Sequence, residues 1–208
     1  MNSNLNGAST DISRVVIATG NAHKFKEFEQ LLDGVFQLVS SSEYGVPSPD
    51  EDGLTFIENA LIKARHTAEA TGLPTLADDS GIVVPALDGA PGIYSARYAG
   101  TGSSDADNRE KLLAAMNGMQ NRAAYFHATI VFVRSASDPD PLVGQGRWQG
   151  RIAHAAKGEQ GFGYDPIFID EHSGLHAAEL SDMAKNRRSH RGLAIASLID
   201  QWRAIKAP

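Results

Sequence analysis

The chain of 208 residues contains no cysteine. That excludes disulfide frameworks, cysteine-ligated zinc and thiol catalysis, and it fits a reducing compartment, so a cytoplasmic protein is expected. No apolar run approaches the roughly 20 residues that a spanning helix requires. The opening MNSNLNGASTDIS has neither a charged nor an apolar leader segment. Residues 1–12 are expected to form a disordered polar tail and residues 13–208 a single domain, with no membrane partner. Positive charge is scarce as well: 19 Lys and Arg against 25 Asp and Glu leave a net charge of −6. A nonspecific grip on a nucleic-acid backbone is therefore not expected. Neither the GxxxxGK(S/T) spacing of a Walker loop nor a GxGxxG fingerprint occurs. His66, His127, His154, His172 and His176 show no spacing that suits a metal, and no Ser/His/Asp order suggests a triad.

What is present is globular in kind, with 42% hydrophobic and 21% charged residues. The negative balance is uneven. Residues 181–208 hold six Lys and Arg against Asp182 and Asp200, or +4, which leaves −10 on the remainder. A small polyanion is thus a candidate ligand for that segment.

Apolar patterning predicts a buried strand over residues 14–19, stopped by Gly20 and Asn21. A helix follows on AHKFKEFEQLLD, with Phe25, Phe28, Leu31 and Leu32 on one face and Gly34 placed to end it. Residues 35–40 are a second strand, and SSEYGVPSPDEDG is a loop ending in Asp50, Glu51 and Asp52. Thr55 and Glu58 form a capping-box pair for a helix whose apolar face is Ile57, Leu61, Ala64 and Ala68, stopping at Gly72. The strand-like LPTLADDSGIVVPAL is expected to be broken at Asp78, Asp79, Ser80 and Gly81, because acids are disfavoured inside strands. Ser104 opens a helix through Met116. Residues 123–134 alternate as a strand, with Tyr125, His127, Thr129 and Val131 on one side. After a turn at Pro139 and Pro141, LVGQGRWQGRIAHAA reads as a bent, glycine-punctuated strand. A last helix from about Ser189 is expected to bury Leu193, Leu198, Ile199, Trp202 and Ile205. Helices and strands interleave but the middle meanders, so the class is mixed α/β with antiparallel pairing.

Four segments carry candidate chemistry. In TGNAHK, residues 19–24, Gly20 lets the backbone approach an anion, while Lys24 and a helix N-terminus add positive charge for phosphate. Asp78 and Asp79, with Glu51 and Glu58 as further carboxylates, supply the hard oxygens that Mg²⁺ takes, and clustered acids raise one another's pKa toward a base. In GFGYDP, Gly161 and Gly163 flank Phe162, on which a planar base can stack, and Asp165 can accept its N–H groups. In KNRRSHRG, Lys185 and Arg191 donate to carbonyl or phosphate oxygens and His190 donates or accepts. Each segment alone has an ordinary reading: a capped turn, a solvated turn, a β-turn over core aromatics, a solvated helix start.

Together, and in this order, TGNAHK, GLTFIENALIKARHTA, ADDSGIVVPALDGAPGIYSARYAG, GFGYDPIF and SHRG resemble the inosine triphosphatase family of noncanonical purine NTP pyrophosphatases, in particular its bacterial branch. The resemblance covers nearly the whole chain after the tail. It implies an elongated α/β fold of two lobes, a long mixed sheet flanked by helices with the active-site cleft between the lobes, and usually a homodimer. It implies Mg²⁺-dependent hydrolysis of ITP, dITP and XTP to the monophosphate and pyrophosphate. Carried over, Thr19, Gly20, Asn21, Ala22, His23 and Lys24 hold the phosphates with Lys63. Asp79 and Glu51 bind the metal, with Asp50 and Asp52 as alternatives to Glu51. Asp79 is also the proton acceptor, and Asp78 supports it. Ser80, Phe162, Gly163, Tyr164, Asp165, Lys185, His190 and Arg191 contact the nucleotide. Arg187 and Arg188 depart from the small or apolar residues common there, and the loop YGVPSPDED is individual.

Water attack on the α-phosphorus needs a base and neutralised phosphates, which Asp79 and the cations supply. Lys185 and Arg191 carry only donors, which suit the O6 of hypoxanthine or xanthine and oppose the amino group of adenine, so ATP is expected to be rejected. The rival readings are a catalytically idle nucleotide-binding regulator and a pyrophosphatase for modified pyrimidine nucleotides.

Overall fold

Strand β1 (Arg14–Ile17) lies inside a six-stranded sheet, between β2 (Gln37–Ser40) and β3 (Thr75–Val83), and runs parallel to both. The computed structural model describes residues 14–206, so the tail expected at residues 1–12 lies outside it. The sheet continues antiparallel through β4 (Ala123–Val133), β5 (Leu142–Ile152) and the short β6 (Phe168–Asp170), in the order β2-β1-β3-β4-β5-β6. Helix α1 (Ala22–Leu31) joins β1 to β2, α2 (Phe56–Thr71) precedes β3, and α3 (Asp105–Ala115) precedes β4. Two helices, α4 (Asp182–Arg188) and α5 (His190–Lys206), end the described chain. The expected mixed α/β class is what is found. No helix among the described residues is long and apolar enough to cross a membrane.

The caps follow the sequence. Thr55 Oγ1 accepts the Glu58 N–H and Gly72 closes α2 in a left-handed conformation, while Ser104 and Asp107 form a capping box on α3. The expected break at Asp78–Gly81 is corrected: β3 is continuous, and every residue from Thr75 to Val83 pairs with β4. Strand pairing is made by backbone groups, so a buried carboxylate is tolerated once its charge is compensated from outside the strand. Two other expectations fail in part, at three positions. Ile57 on α2, and Leu193 and Ile205 on α5, are exposed. α5 instead seats Ala194, Ile195, Leu198 and Trp202 on the sheet. It lies so close that a Cβ on Gly146 of β5 would stand 2.1 Å from the His190 carbonyl oxygen.

Period-2 alternation puts Leu76, Asp78, Ser80 and Ile82 on one face of β3, with Ala77, Asp79 and Gly81 on the other. On the first face, Leu76 belongs to a core with Val15, Phe28, Phe132 and Trp202 under α1 and α5. Ile82 belongs to a second core with Leu112, Phe126, Trp148 and Phe168 at the far end of the long strands. Asp78 and Ser80 therefore mark the polar break between two apolar lobes. On the other face Ala77 packs with Ala60, Ala64 and Ala68 of α2. The edge of β3 away from β4 is divided as well. β1 pairs with it at Thr75 and Leu76, and the 3-10 helix Gly92–Arg97 takes it up at Ile82, whose N–H donates to Ser95 Oγ at 2.9 Å. The stretch Asp78–Ser80 lies between these two covers, so groups on both faces of the sheet are approached around one edge.

Candidate active site

Asp78 is fully buried, and its Oδ2 accepts from Lys24 Nζ at 2.7 Å, Ser80 Oγ at 2.9 Å and Arg191 Nη2 at 3.2 Å. Burial alone would push this carboxyl up, but the charges of Arg191 and Lys24 hold it far below the usual carboxylate range. Arg191 also binds Glu27, which in turn accepts from Lys185 Nζ at 3.1 Å. Lys185 reaches Asp165 Oδ2 at 2.8 Å. One network thus joins α1, β3, the loop of residues 161–165, α4 and α5. The ordinary reading of residues 185–192 alone, a solvated helix start, does not describe them. Ser189 separates two helices there, and Lys185, His190 and Arg191 are all buried.

On the other face of the sheet, Asp79 Oδ1 lies 2.8 Å from Lys63 Nζ, which is 3.0 Å from Glu51 Oε1. Arg97 approaches Glu51 at 3.8 Å. Burial pushes the Asp79 carboxyl up, and the Lys63 charge and hydrogen bond pull it down without overcoming that rise. Asp79 Oδ2 is buried and has no hydrogen-bond partner among the described residues. Glu58 is spent on the start of α2, where its Oε2 accepts from the Leu54 N–H and the Thr55 hydroxyl.

A cavity of about 110 Å³ opens beside the first network, lined by Lys24, Ser80, Phe162, Tyr164, Lys185, His190 and Arg191 among others. That is well below the few hundred Å³ of a site enclosing a whole drug-sized ligand, and it matches a flat ring system rather than a complete nucleotide. Larger clefts of about 710 and 640 Å³ lie against β5 and β6, and neither is lined by Asp78, Asp79 or their cations. Phe162 stands on the cavity wall with Lys185 Nζ 5.0 Å from its ring centre and His23 stacked on it at 5.6 Å. His190 stacks on Phe126 at 4.8 Å, and burial, with Arg191 beside it, holds its pKa well below the usual histidine value. The ring is therefore neutral, and its buried Nδ1 is unpartnered among the described residues. Arg191, a residue of the cavity wall, has its buried Nε unpartnered as well, a donor left over after the carboxylates are served.

The turn 19–24 folds on itself. Thr19 Oγ1 accepts the Asn21 N–H, and Asn21 Oδ1 caps α1 by accepting the N–H groups of His23 at 2.9 Å and Lys24 at 3.2 Å. Two amides expected to face an anion are thus already used, and Lys24 carries the charge of this turn into the site. Asp79, Lys63 and Glu51 do not line the ring cavity; they stand on the opposite face of β3, reached around the open edge at Asp78–Ser80.

The five cations Lys24, Lys63, Arg97, Lys185 and Arg191 stand against the five carboxylates Glu27, Glu51, Asp78, Asp79 and Asp165. The balance is neutral, so a triphosphate needs additional positive charge to bind. The residues fit a hard divalent cation: Asp79 Oδ2 has an open valence, Glu51 is a second carboxylate, and such a cation completes its shell with water and phosphate. No three His, Cys, Asp or Glu side chains among the described residues converge as a ready-made cage.

Sequence reasoning missed Glu27, although it lies three residues after Lys24 on the same helix face. It also missed Ser95, whose carbonyl accepts the Tyr164 hydroxyl at 2.8 Å. Asp105 and Arg109 escaped it too, since their contacts with Gly163 span more than fifty residues of chain.

The sequence profile of the Ham1 family matches residues 15–201. The chain is 52% identical over 189 residues to a dITP/XTP pyrophosphatase of Halorhodospira halophila, covering 89% of this chain and 95% of that protein. It is 53% identical over 195 residues to the dITP/XTP pyrophosphatase of Yersinia pseudotuberculosis, covering 92% and 99%. Among solved structures, a HAM1 protein from Coxiella burnetii superposes with a TM-score of 0.86 at 43% identity, covering 92% of this chain and 99% of that one. A nucleoside-triphosphatase / dITP/XTP pyrophosphatase from Mycobacterium abscessus does so with 0.71 at 39% identity, covering 89% and 98%.

Proposed function

The chain belongs to the Ham1 family, and from that premise we infer that it hydrolyses the noncanonical purine nucleoside triphosphates dITP, XTP and ITP to the monophosphate and pyrophosphate. The observation that carries this reading is the neutral, doubly faced charge cluster around Asp78 and Asp79, next to a ring-sized cavity bearing Phe162. One face offers a base site and the other a buried, partner-poor carboxylate.

The base stacks on Phe162 within the cavity and its O6 accepts from Lys185 and Arg191, with neutral His190 at the ring edge. Lys185 keeps an N–H beyond the two it gives to Glu27 and Asp165, and Arg191 keeps its Nε. An amino group at position 6 would meet these donors with nothing to offer them, which disfavours ATP. The triphosphate passes over the open edge of β3, where Lys24 and Lys63 exchange part of their carboxylate contacts for phosphate oxygens. Asp79, raised by burial, takes the proton of the attacking water, and the α–β anhydride bond breaks with pyrophosphate leaving. Mg²⁺ held by Asp79 and Glu51 would neutralise phosphate charge and lower the pKa of bound water. We extend the reading to a homodimer in the cytoplasm, and light scattering tests the dimer.

Steady-state pyrophosphate release from ITP, dITP, XTP, GTP, ATP and dUTP with Mg²⁺ is the direct test. The first three are expected to be turned over well ahead of ATP. Absence of turnover on all six, or a preference for dUTP, overturns the reading.

A further inference from the structure

The loop of residues 161–165 carries Phe162 between two glycines in left-handed conformations, Gly161 at φ +77° and Gly163 at φ +59°. Part of its shape is made locally: Asp165 Oδ2 accepts the Phe162 N–H at 3.0 Å. Tyr164 ties its far side to Ser95. The peptide groups of Gly163 are gripped from another part of the chain. Its N–H donates to Asp105 Oδ2 at 2.7 Å, and its carbonyl accepts from Arg109 Nη1 at 2.7 Å. Asp105 and Arg109 lie one turn apart on α3 and so share a face. The helix is itself fixed to its surroundings. Buried Asn108 accepts from the Ala99 N–H at 2.7 Å and the Ser103 hydroxyl at 3.0 Å, and donates to the Ala96 carbonyl at 3.2 Å.

We propose that Asp105 and Arg109 are positioning residues for recognition of the purine ring, acting through Gly163 to hold Phe162 in its pose on the cavity wall. The proposal rests on the pyrophosphatase reading above. Left-handed glycines on both sides give Phe162 little backbone restraint of its own. With the Gly163 peptides released, the ring samples poses from which a base gains less stacking. Among the described residues neither Asp105 nor Arg109 bonds to Lys24, Lys63 or Asp79, so the effect belongs to base binding and not to the phosphate chemistry.

The test uses full-length Arg109→Ala, Arg109→Lys and Asp105→Ala, with kcat and KM for ITP and inhibition by each product, IMP and pyrophosphate. Arg109→Ala and Asp105→Ala are expected to raise KM for ITP and weaken IMP inhibition about tenfold, the equivalent of ~1.4 kcal/mol. Turnover and pyrophosphate inhibition should stay within about twofold of wild type, and Arg109→Lys should recover most of the loss. In a Phe162→Ala background the Arg109 substitution should add little, because both act on one contact. Equal weakening of IMP and pyrophosphate inhibition, no change in either, or full additivity with Phe162→Ala overturns the proposal. A wild type that neither hydrolyses ITP nor is inhibited by IMP defeats the pyrophosphatase reading and this proposal with it, whereas an active wild type with unaltered variants defeats the clamp alone.

Discussion

Asp78 and Asp79 are consecutive on β3 yet serve opposite faces of the sheet: Asp78 Oδ2 lies 2.7 Å from Lys24 Nζ, and Asp79 Oδ1 lies 2.8 Å from Lys63 Nζ. The strand period forces this division. It also separates two functions of a carboxylate. Asp78 gathers three donors on Oδ2 and is held ionised by Arg191 and Lys24, which suits a structural anion, although its buried Oδ1 has no partner among the described residues. Asp79 also keeps one oxygen open, but it has a single cation, Lys63, and is raised by burial, which suits proton transfer.

Asp79→Asn is therefore expected to lower kcat for ITP by about 10²–10⁴, the usual worth of a general base, with IMP affinity unchanged within about twofold. Rapid-quench or steady-state pyrophosphate release checks it. A variant retaining half of wild-type turnover removes Asp79 from the proton-transfer step.

Asp78→Asn should show its effect first as lost stability. It leaves Arg191 buried with one fewer anion, and breaking a buried pair costs about 3–5 kcal/mol. Urea unfolding measures this directly. A loss below about 1 kcal/mol would mean that Glu27 alone balances Arg191.

Much of this was legible in the chain. The caps at Thr55 and Ser104, the stop at Gly72 and the apolar face of α1 followed from local chemistry, which short-range rules capture. The continuity of β3 did not, because what permits acids in a strand is a set of cations 54 and 113 residues away for Asp78 and 16 away for Asp79. The ion pairs of Glu27 were hidden for the same reason. Leu193 and Ile205 misled because an apolar side chain on the outer face of α5 reads like one on the inner face when neighbouring turns are also apolar.

Chelation should abolish turnover. With five cations balanced by five carboxylates, the site has no surplus positive charge for a triphosphate. EDTA is expected to reduce pyrophosphate release to background, Mg²⁺ to restore it, and Glu51→Gln to raise the Mg²⁺ concentration needed for half-maximal rate. Undiminished activity in EDTA would show that the residues alone neutralise the substrate.

The β4–β5 turn gives a pH-dependent prediction independent of the site. Asp138 is buried and accepts from the Arg134 side chain and from the Arg134 and Asp140 N–H groups. The Arg134 hydrogen bond is the largest influence, and with the backbone donors it holds the carboxyl at about 2 against the opposing effect of burial. A folded value below the unfolded one, ordinarily about 3.9, stabilises the protein above the unfolded value and is lost as pH falls through the folded one. Solvent screening at half-exposed Arg134 limits the gain to about 1–2 kcal/mol. Asp138→Asn should thus be less stable than wild type by that amount at pH 7, with the difference shrinking below about pH 4 and disappearing only below about pH 2. A difference constant with pH would assign the loss to packing rather than charge.

Gly161→Ala tests the ring site from its backbone. At φ +77° any other residue is strained, and a Cβ would stand 2.1 Å from Asp165 Oδ2, the atom that accepts both the Phe162 N–H and Lys185. The clash cannot be relieved by a swing of Asp165 alone without giving up both bonds. The loop must open, and a left-handed residue without glycine costs about 1–3 kcal/mol. The expected outcome is a rise of about tenfold to a hundredfold in KM for ITP and in the inhibition constant of IMP. Pyrophosphate inhibition should move far less, because Lys63 and Asp79 lie on the other face of β3 and, of the phosphate-binding cations, Lys24 alone borders the ring cavity. Unaltered IMP inhibition in this variant would mean that the Phe162 loop does not touch the base.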